Sequence, residues 1–192
     1  MGFRIEDGSG NGYFVKVDSN RRLTVAATTL PIVADATHSG RAFALLGSRT
    51  LASGSEETVI QFKNDNSLLD VHLQTIRVAI KTGAAGVKVI SYFDVTRTSG
   101  GVLKTPVQLN RKSARLSGIT CYDNSDGTLV VGTTNAQAFA VFRSTGIMTV
   151  IANSDGALQL GPGDTYALRV IGTAADIIDV TIFAYEADHS GM

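Results

Sequence analysis

Short apolar stretches that alternate with a period of two, separated at close intervals by glycine, constrain this chain more than any other feature. Glycine occurs 20 times in 192 residues and proline only 3 times, and most glycines fall between the alternating stretches, where they punctuate turns. The stretches are rich in Val, Ile, Thr, Phe and Tyr, the residues that fit a pleated surface. Strands are predicted near 12–18, 22–27, 41–47, 57–63, 69–80, 87–95, 137–143, 147–152, 157–160, 164–172 and 177–185. In the 164–172 strand, Tyr166, Leu168 and Val170 share one face, opposite Thr165, Ala167, Arg169 and Ile171. Both faces of 177–185 are largely apolar, so that strand is expected to be covered on both sides.

One segment changes phase. Val71 and Leu73 alternate with His72 and Gln74, whereas Ile76, Val78 and Ile80 continue on the opposite parity, which predicts a bulge near Gln74 and Thr75. The tetrapeptide Asn-Ser-Asp-Gly occurs at 124–127 and again at 153–156, and reads as two independent hairpin turns because the flanking residues differ. Leu158 to Asp164 reads as a strand, a Pro-Gly turn and the start of a neighbouring strand. Helix signals are confined to 110–118, with Asn110 at a cap position and Gly118 at the end. Many short strands with almost no helix predict an all-β fold, a jelly-roll-like β-sandwich spanning 36–192. Residues 1–35 are distinct and read as an extended N-terminal arm.

Composition removes several classes of function. The 17 basic residues balance the 17 acidic ones, so the net positive field of a general nucleic-acid or anionic-membrane binder is missing. A single cysteine, Cys121, rules out an intrachain disulfide and a cysteine-rich zinc site. The opening residues place Arg4, Glu6 and Asp7 where a secretory signal needs an apolar core, which predicts a protein that stays where it is made. Met1-Gly2 opens like a myristoylation signal, but Glu6 stands where that motif needs Ser or Thr.

Catalytic and metal-binding patterns are weak. His38, His72 and His189 are widely separated: His72 reads as a sheet-face residue, His38 as part of a loop, and His189 belongs to a terminal stretch. The sequence contains no Gly-x-Ser-x-Gly elbow, phosphate-binding loop or His-Glu-x-x-His. Cys121, at an expected strand end, reads as a packing residue. Asp7 to Gly12 begins like a calcium-binding loop with Asp18 at its twelfth position, but an alternating strand replaces the second half, so a glycine-rich turn is the expectation. Arg21-Arg22 and Arg111-Lys112 are basic pairs beside turns with no interleaved aromatics, which predicts a solvated rim. No enzyme activity, cofactor or metal is expected.

The arm carries a recognisable pattern. Arg4 to Ala27, RIEDGSGNGYFVKVDSNRRLTVAA, resembles the opening of a widespread group of tailed-bacteriophage virion proteins. That group shows Ile-Glu-Asp-Gly, a run of small residues and an alternating strand reaching Val-Asp-x-x-Asn/Arg-Arg-Leu. Ile5, Glu6, Asp7, Gly8, Gly12, Val17, Asp18, Arg22 and Leu23 carry the match, followed by a looser Gly40-to-Phe43 stretch. The resemblance implies a structural protein of the virion, assembled in the host cytoplasm. Capsid decoration (cement) is preferred, with neck, tail or fibre attachment as the alternative. The expected partners are further copies of the chain, most simply in a homotrimer, and the major capsid or other virion proteins, with no direct contact to nucleic acid or membrane. The arm would be the tether, adding a strand to a neighbour's open sheet edge, with Ile5, Tyr13, Phe14, Val15, Arg21 and Arg22 as contact residues. A carbohydrate- or receptor-binding sandwich is the second reading, weakened by the absence of tryptophan.

Overall fold

The computed structural model describes residues 4–5, 13–14, 32–52, 54–81, 87–134, 136–144 and 149–188. The chain divides into two compact units, Met1–Pro31 and Ile32–Met192. In the first unit, β1 (Arg4–Ile5) and β2 (Tyr13–Phe14) form an antiparallel ribbon with Arg4 opposite Phe14 and Ile5 opposite Tyr13.

The second unit is an all-β sandwich preceded by one short helix, α1 (Ile32–His38). Its strands are β3 (Ala42–Thr50), β4 (Glu57–Asn64), β5 (Leu69–Ile80), β6 (Val87–Phe93), β7 (Thr96–Ser99), β8 (Val102–Lys104), β9 (Val107–Gln108), β10 (Ile119–Asp123), β11 (Val130–Gly132), β12 (Gln137–Ser144), β13 (Thr149–Leu160), β14 (Thr165–Ile171) and β15 (Ile177–Asp188). A six-stranded sheet runs β12-β6-β14-β4-β10-β8, and a five-stranded sheet runs β13-β5-β15-β3-β9. The pairing is nested: β3 with β15, β4 with β14, β5 with β13 and β6 with β12, all antiparallel. Rolling one long hairpin in this way places successive strands on opposite sheets, which is jelly-roll connectivity. The inserted strands β8, β9 and β10 then extend both sheets at one edge.

Alternation decides what lies between the sheets. Phe43 and Leu45 of β3, Ile60 and Phe62 of β4, Leu73 of β5, Tyr166 and Leu168 of β14, and Ile178 and Ile182 of β15 are fully buried in one continuous core. Burying each large apolar side chain contributes about 1.5–3 kcal/mol. Tyr166 carries a hydroxyl into that core and shares a hydrogen bond of 2.9 Å with the Ser91 hydroxyl, so its one polar atom is satisfied. The bulge expected near Gln74 is present: Phe183 faces Thr75 while the adjacent Ala184 faces Leu73, leaving Gln74 as the extra residue.

Several expectations are corrected. β15 is covered on both faces only towards its end, where Ala184, Tyr185 and Glu186 are buried in succession and Tyr185 packs with Ala36 of α1, whereas β14 is covered on both faces over Tyr166, Ala167 and Leu168. Along β15, Ile178, Val180 and Ile182 are buried while Ile177, Asp179, Thr181 and Phe183 are partly exposed. On β14 the outward Ala167 lies beneath Val95, Leu129 and Val131, because β7 and β11 form a separate ribbon folded over the outside of the sheet. The predicted helix at 110–118 is a non-helical loop, and the helix is α1, so His38 ends a helix instead of lying in a loop. Gly40 adopts a left-handed φ of +72° and terminates α1, its N–H donating to the Thr37 carbonyl at 3.1 Å. A Cβ at Gly40 would stand 2.1 Å from the Ser113 hydroxyl, so a side chain there would displace the loop as well.

The two Asn-Ser-Asp-Gly segments do not make hairpins. Residues 124–127 turn with Gly127 at φ +77°, but their flanking strands, β10 and β11, belong to different sheets. Residues 153–156 lie within β13, where 154–157 loop out opposite Gln74 between the pairs Asn153–Thr75 and Leu158–Leu73. The Pro162-Gly163 turn likewise carries the chain from β13 to β14, that is, between sheets and not between neighbours in one.

Candidate functional site

The extended edge of the sandwich leaves a groove. β8 ends the six-stranded sheet and β9 ends the five-stranded one, and Thr105-Pro106 carries the chain from one to the other. The 109–118 loop then folds back before β10. The resulting groove encloses about 540 Å³, floored by the core residues Phe43 and Ile119 and walled by Leu103, Pro106 and Leu116. Leu103 is 64% exposed, Leu116 81% and, on β9, Val107 49%, so this edge presents large apolar side chains to solvent.

The loop that closes the groove is held by polar contacts from other elements. Asn110, predicted as a helix cap, instead donates from Nδ2 to the His38 carbonyl at 3.0 Å, while its Oδ1 accepts the Lys112 N–H at 3.1 Å. Gln108 donates from Nε2 to the carbonyls of Gly40 and Arg115, at 2.8 and 3.1 Å. The Gln108 Oε1 is buried and accepts no hydrogen bond. The innermost anchor is Glu186 on β15, fully enclosed, whose carboxylate accepts the Gly118 N–H at 2.7 Å and pairs with the Arg115 guanidinium at 3.1 Å. A carboxylate with a charged partner and a backbone donor is one that burial can tolerate.

Lys104, also lining the groove, sits 3.3 Å from the buried carboxylate of Asp123. Each cation of the groove therefore balances a buried acid. The exposed Arg111 and Lys112 of the same loop add positive charge at the surface. Asp65, in the neighbouring β4–β5 turn, is held below the usual carboxylate range by hydrogen bonds from Lys63 and Thr120, its slight burial opposing them.

A second cleft of about 300 Å³ lies near Arg49, Glu56, Glu57, Asn124 and Arg169. Its charges are paired within the chain: Arg49 with Glu57 at 2.5 Å and Arg169 with Glu56 at 3.1 Å. Burial, and then the hydrogen bond to Glu56, raise the Tyr92 phenol above its ordinary value.

Of the residues singled out from the sequence, Ile5, Tyr13 and Phe14 lie on the β1–β2 ribbon. Val15, Arg21, Arg22, His189 and the 7–12 turn with Asp18 fall outside the described residues. His72 stacks on Tyr185 with ring centroids 4.9 Å apart, a sheet-face position as predicted. Cys121 is buried in the middle of β10 rather than at its end, and burial pushes its thiol up to about 12, so it stays protonated at neutral pH. Among the described residues, no three His, Cys, Asp or Glu side chains are grouped as a metal would require, and no helix is long and apolar enough to cross a membrane. Sequence reasoning missed Leu103, Gln108, Leu116 and Glu186. Only Glu186 carried a signal: it continues the inward parity of Ile178, Val180, Ile182 and Ala184, placing a carboxylate where the alternation asks for an apolar residue. No protein-family model matches the chain, and no curated protein matches it.

Proposed function

We propose that this chain is a non-enzymatic structural protein of a tailed-bacteriophage virion, a capsid decoration (cement) protein held to its particle through the leading arm. The observation that carries the reading is the open edge at β8 and β9, where Leu103, Val107 and Leu116 stand exposed beside strand edges that no other strand among the described residues pairs with. Apolar side chains gathered at a sheet edge favour contact with another protein, which removes them from water at about 25 cal/mol per Å². A jelly roll is an architecture that capsid proteins use, and the Ile5-to-Leu23 pattern resembles virion proteins. The work of such a protein is mechanical: it bridges subunits so that outward pressure must break additional buried area. The same exposed edge suits association with further copies of the chain, and a homotrimer is the assembly this reading takes as its default.

Deleting residues 1–27 tests the tether. The truncated chain should co-sediment with its particle at least tenfold less than the intact chain; equal co-sedimentation would dismiss attachment through the arm. A carbohydrate- or receptor-binding role draws support from the second cleft, whose Arg49, Glu57, Glu56 and Arg169 offer the planar donors and acceptors that sugar hydroxyls use. Saturable glycan binding abolished by Arg169→Ala, with particle attachment unaffected by loss of the arm, would favour that role instead.

A further inference from the structure

We infer that α1 and the 109–118 loop form one latch beside the groove, seating together and releasing together, with Glu186 as the catch. The latch belongs to the sandwich unit and does not rest on the tether reading. Neither segment is built to hold its place alone. α1 has seven residues, whereas an isolated helix is marginal below about 12–15, and among its described side chains only Ala36 is buried. Across 109–118 no residue is buried, and the backbone forms neither helix nor strand. Segments with so few buried apolar contacts lie at the low-stability end of a structure and open without global unfolding.

What holds each segment is the other, or a residue that both share. Asn110 of the loop donates to the His38 carbonyl that ends α1, and Gln108 bridges the carbonyls of Gly40 and Arg115. Ser113 packs against Gly40 so closely that a Cβ has no room there. Glu186 ties the two together: its backbone N–H donates to the Arg41 carbonyl at 2.8 Å, and the Arg41 N–H donates to the Ala36 carbonyl at 2.6 Å. Its carboxylate meanwhile holds Arg115 and the Gly118 N–H. Lifting the loop alone strips the His38 and Gly40 carbonyls of their side-chain donors; unwinding α1 alone takes those acceptors from Asn110 and Gln108. Either half-open state forfeits the shared bonds without gaining the freedom of the other segment, so the two openings are coupled into one. Release removes a wall of the groove and bares its floor of Phe43 and Ile119. α1 follows Pro31 directly in the chain, so a load on the leading residues enters the sandwich through α1, and access to the groove depends on it.

Amide exchange, followed residue by residue by NMR on the full purified chain, tests the coupling from both sides. Glu186→Gln weakens the catch through a side chain whose hydrogen bonds go to the loop, and Ala36→Gly weakens α1 through its packing on Ala42 and Tyr185. Each variant should speed exchange at Ser39, Gly40 and Arg41 by the helix end and at Ser113, Arg115 and Gly118 in the loop by one common factor, at least about threefold. The amides of Gly127 and Leu129, bonded within their own turn to Asn124, should keep their rates. Asn110→Ala, which deletes the bond to the His38 carbonyl, should act on both segments in the same way and replaces Glu186→Gln if that variant yields too little folded protein. A loop that speeds while the helix end keeps its rate, or the reverse, overturns the proposal. So does equal acceleration at Gly127 and Leu129, because the opening would then be that of the whole sandwich. Unchanged exchange at both segments overturns it as well.

Discussion

β14 and β8 belong to the same six-stranded sheet and have opposite surroundings. β14 has a strand on each side, the core on its inner face and the β7–β11 ribbon on its outer face, so Tyr166, Ala167 and Leu168 are all buried in succession. Among the described residues β8 has one neighbour, and Leu103 at its centre is 64% exposed. Both carry leucine at mid-strand, so residue type does not distinguish them; position in the nested pairing does. A leucine on β14 stabilises the fold of one chain, whereas a leucine on β8 is available to another.

Substitutions break this comparison in order of size. Leu168→Ala should cost about 2–5 kcal/mol in urea unfolding, because the cavity it opens lies between two sheets that cannot collapse onto it. Glu186→Gln should cost roughly 1–3 kcal/mol, less than a fully buried pair, since Arg115 is 36% exposed and can turn to water. Its signature is local: faster amide exchange across 109–118 with little change in β14. Acidification should come next. Lys81 and the Ser48 hydroxyl outweigh burial and hold the Asp179 carboxyl below its ordinary range. A depressed folded-state value means this contribution is complete above the unfolded aspartate pKa of about 3.9 and is lost as pH falls through the lower folded value. The effect should stay under about 1 kcal/mol for so exposed a pair, and Asp179→Asn should flatten it in unfolding midpoints measured below about pH 5. Leu103→Ser should change stability by no more than about 0.5 kcal/mol; a loss as large as that of Leu168→Ala would mean that the edge serves the fold and not a partner.

The eight strands of the nested hairpin were legible because each is long enough for alternation to repeat, and the phase change at Gln74 marked its bulge correctly. The short strands were not. Thr96–Ser99, Val102–Lys104, Val107–Gln108 and Val130–Gly132 are two to four residues long, too short to show a period; at the groove, β8 and β9 are strands because the longer β10 and β3 pair with them, while β7 and β11 pair with each other over β14. The 110–118 helix was misread for a related reason. Asn110 and Gly118 are the residue types of a helix start and stop, but the hydrogen bonds they make go to α1 and to Glu186, partners distant in sequence. Single-chain patterning reports which residues want burial or a cap, not which element supplies it. The groove arises from such distant supply, so its residues carried no local mark apart from Glu186.

Nested pairing also sets an order of events during synthesis. β15 fills the slot between β3 and β5, so until the ribosome has delivered residues 177–188 those two strands stand apart with raw edges and greasy faces on show. Closure must bridge well over a hundred positions of polypeptide, which puts folding in the slow, millisecond-to-second regime of high contact order. During that interval the nascent chain is at its stickiest, and holding it apart from its siblings until the final strand drops in is a task for chaperones.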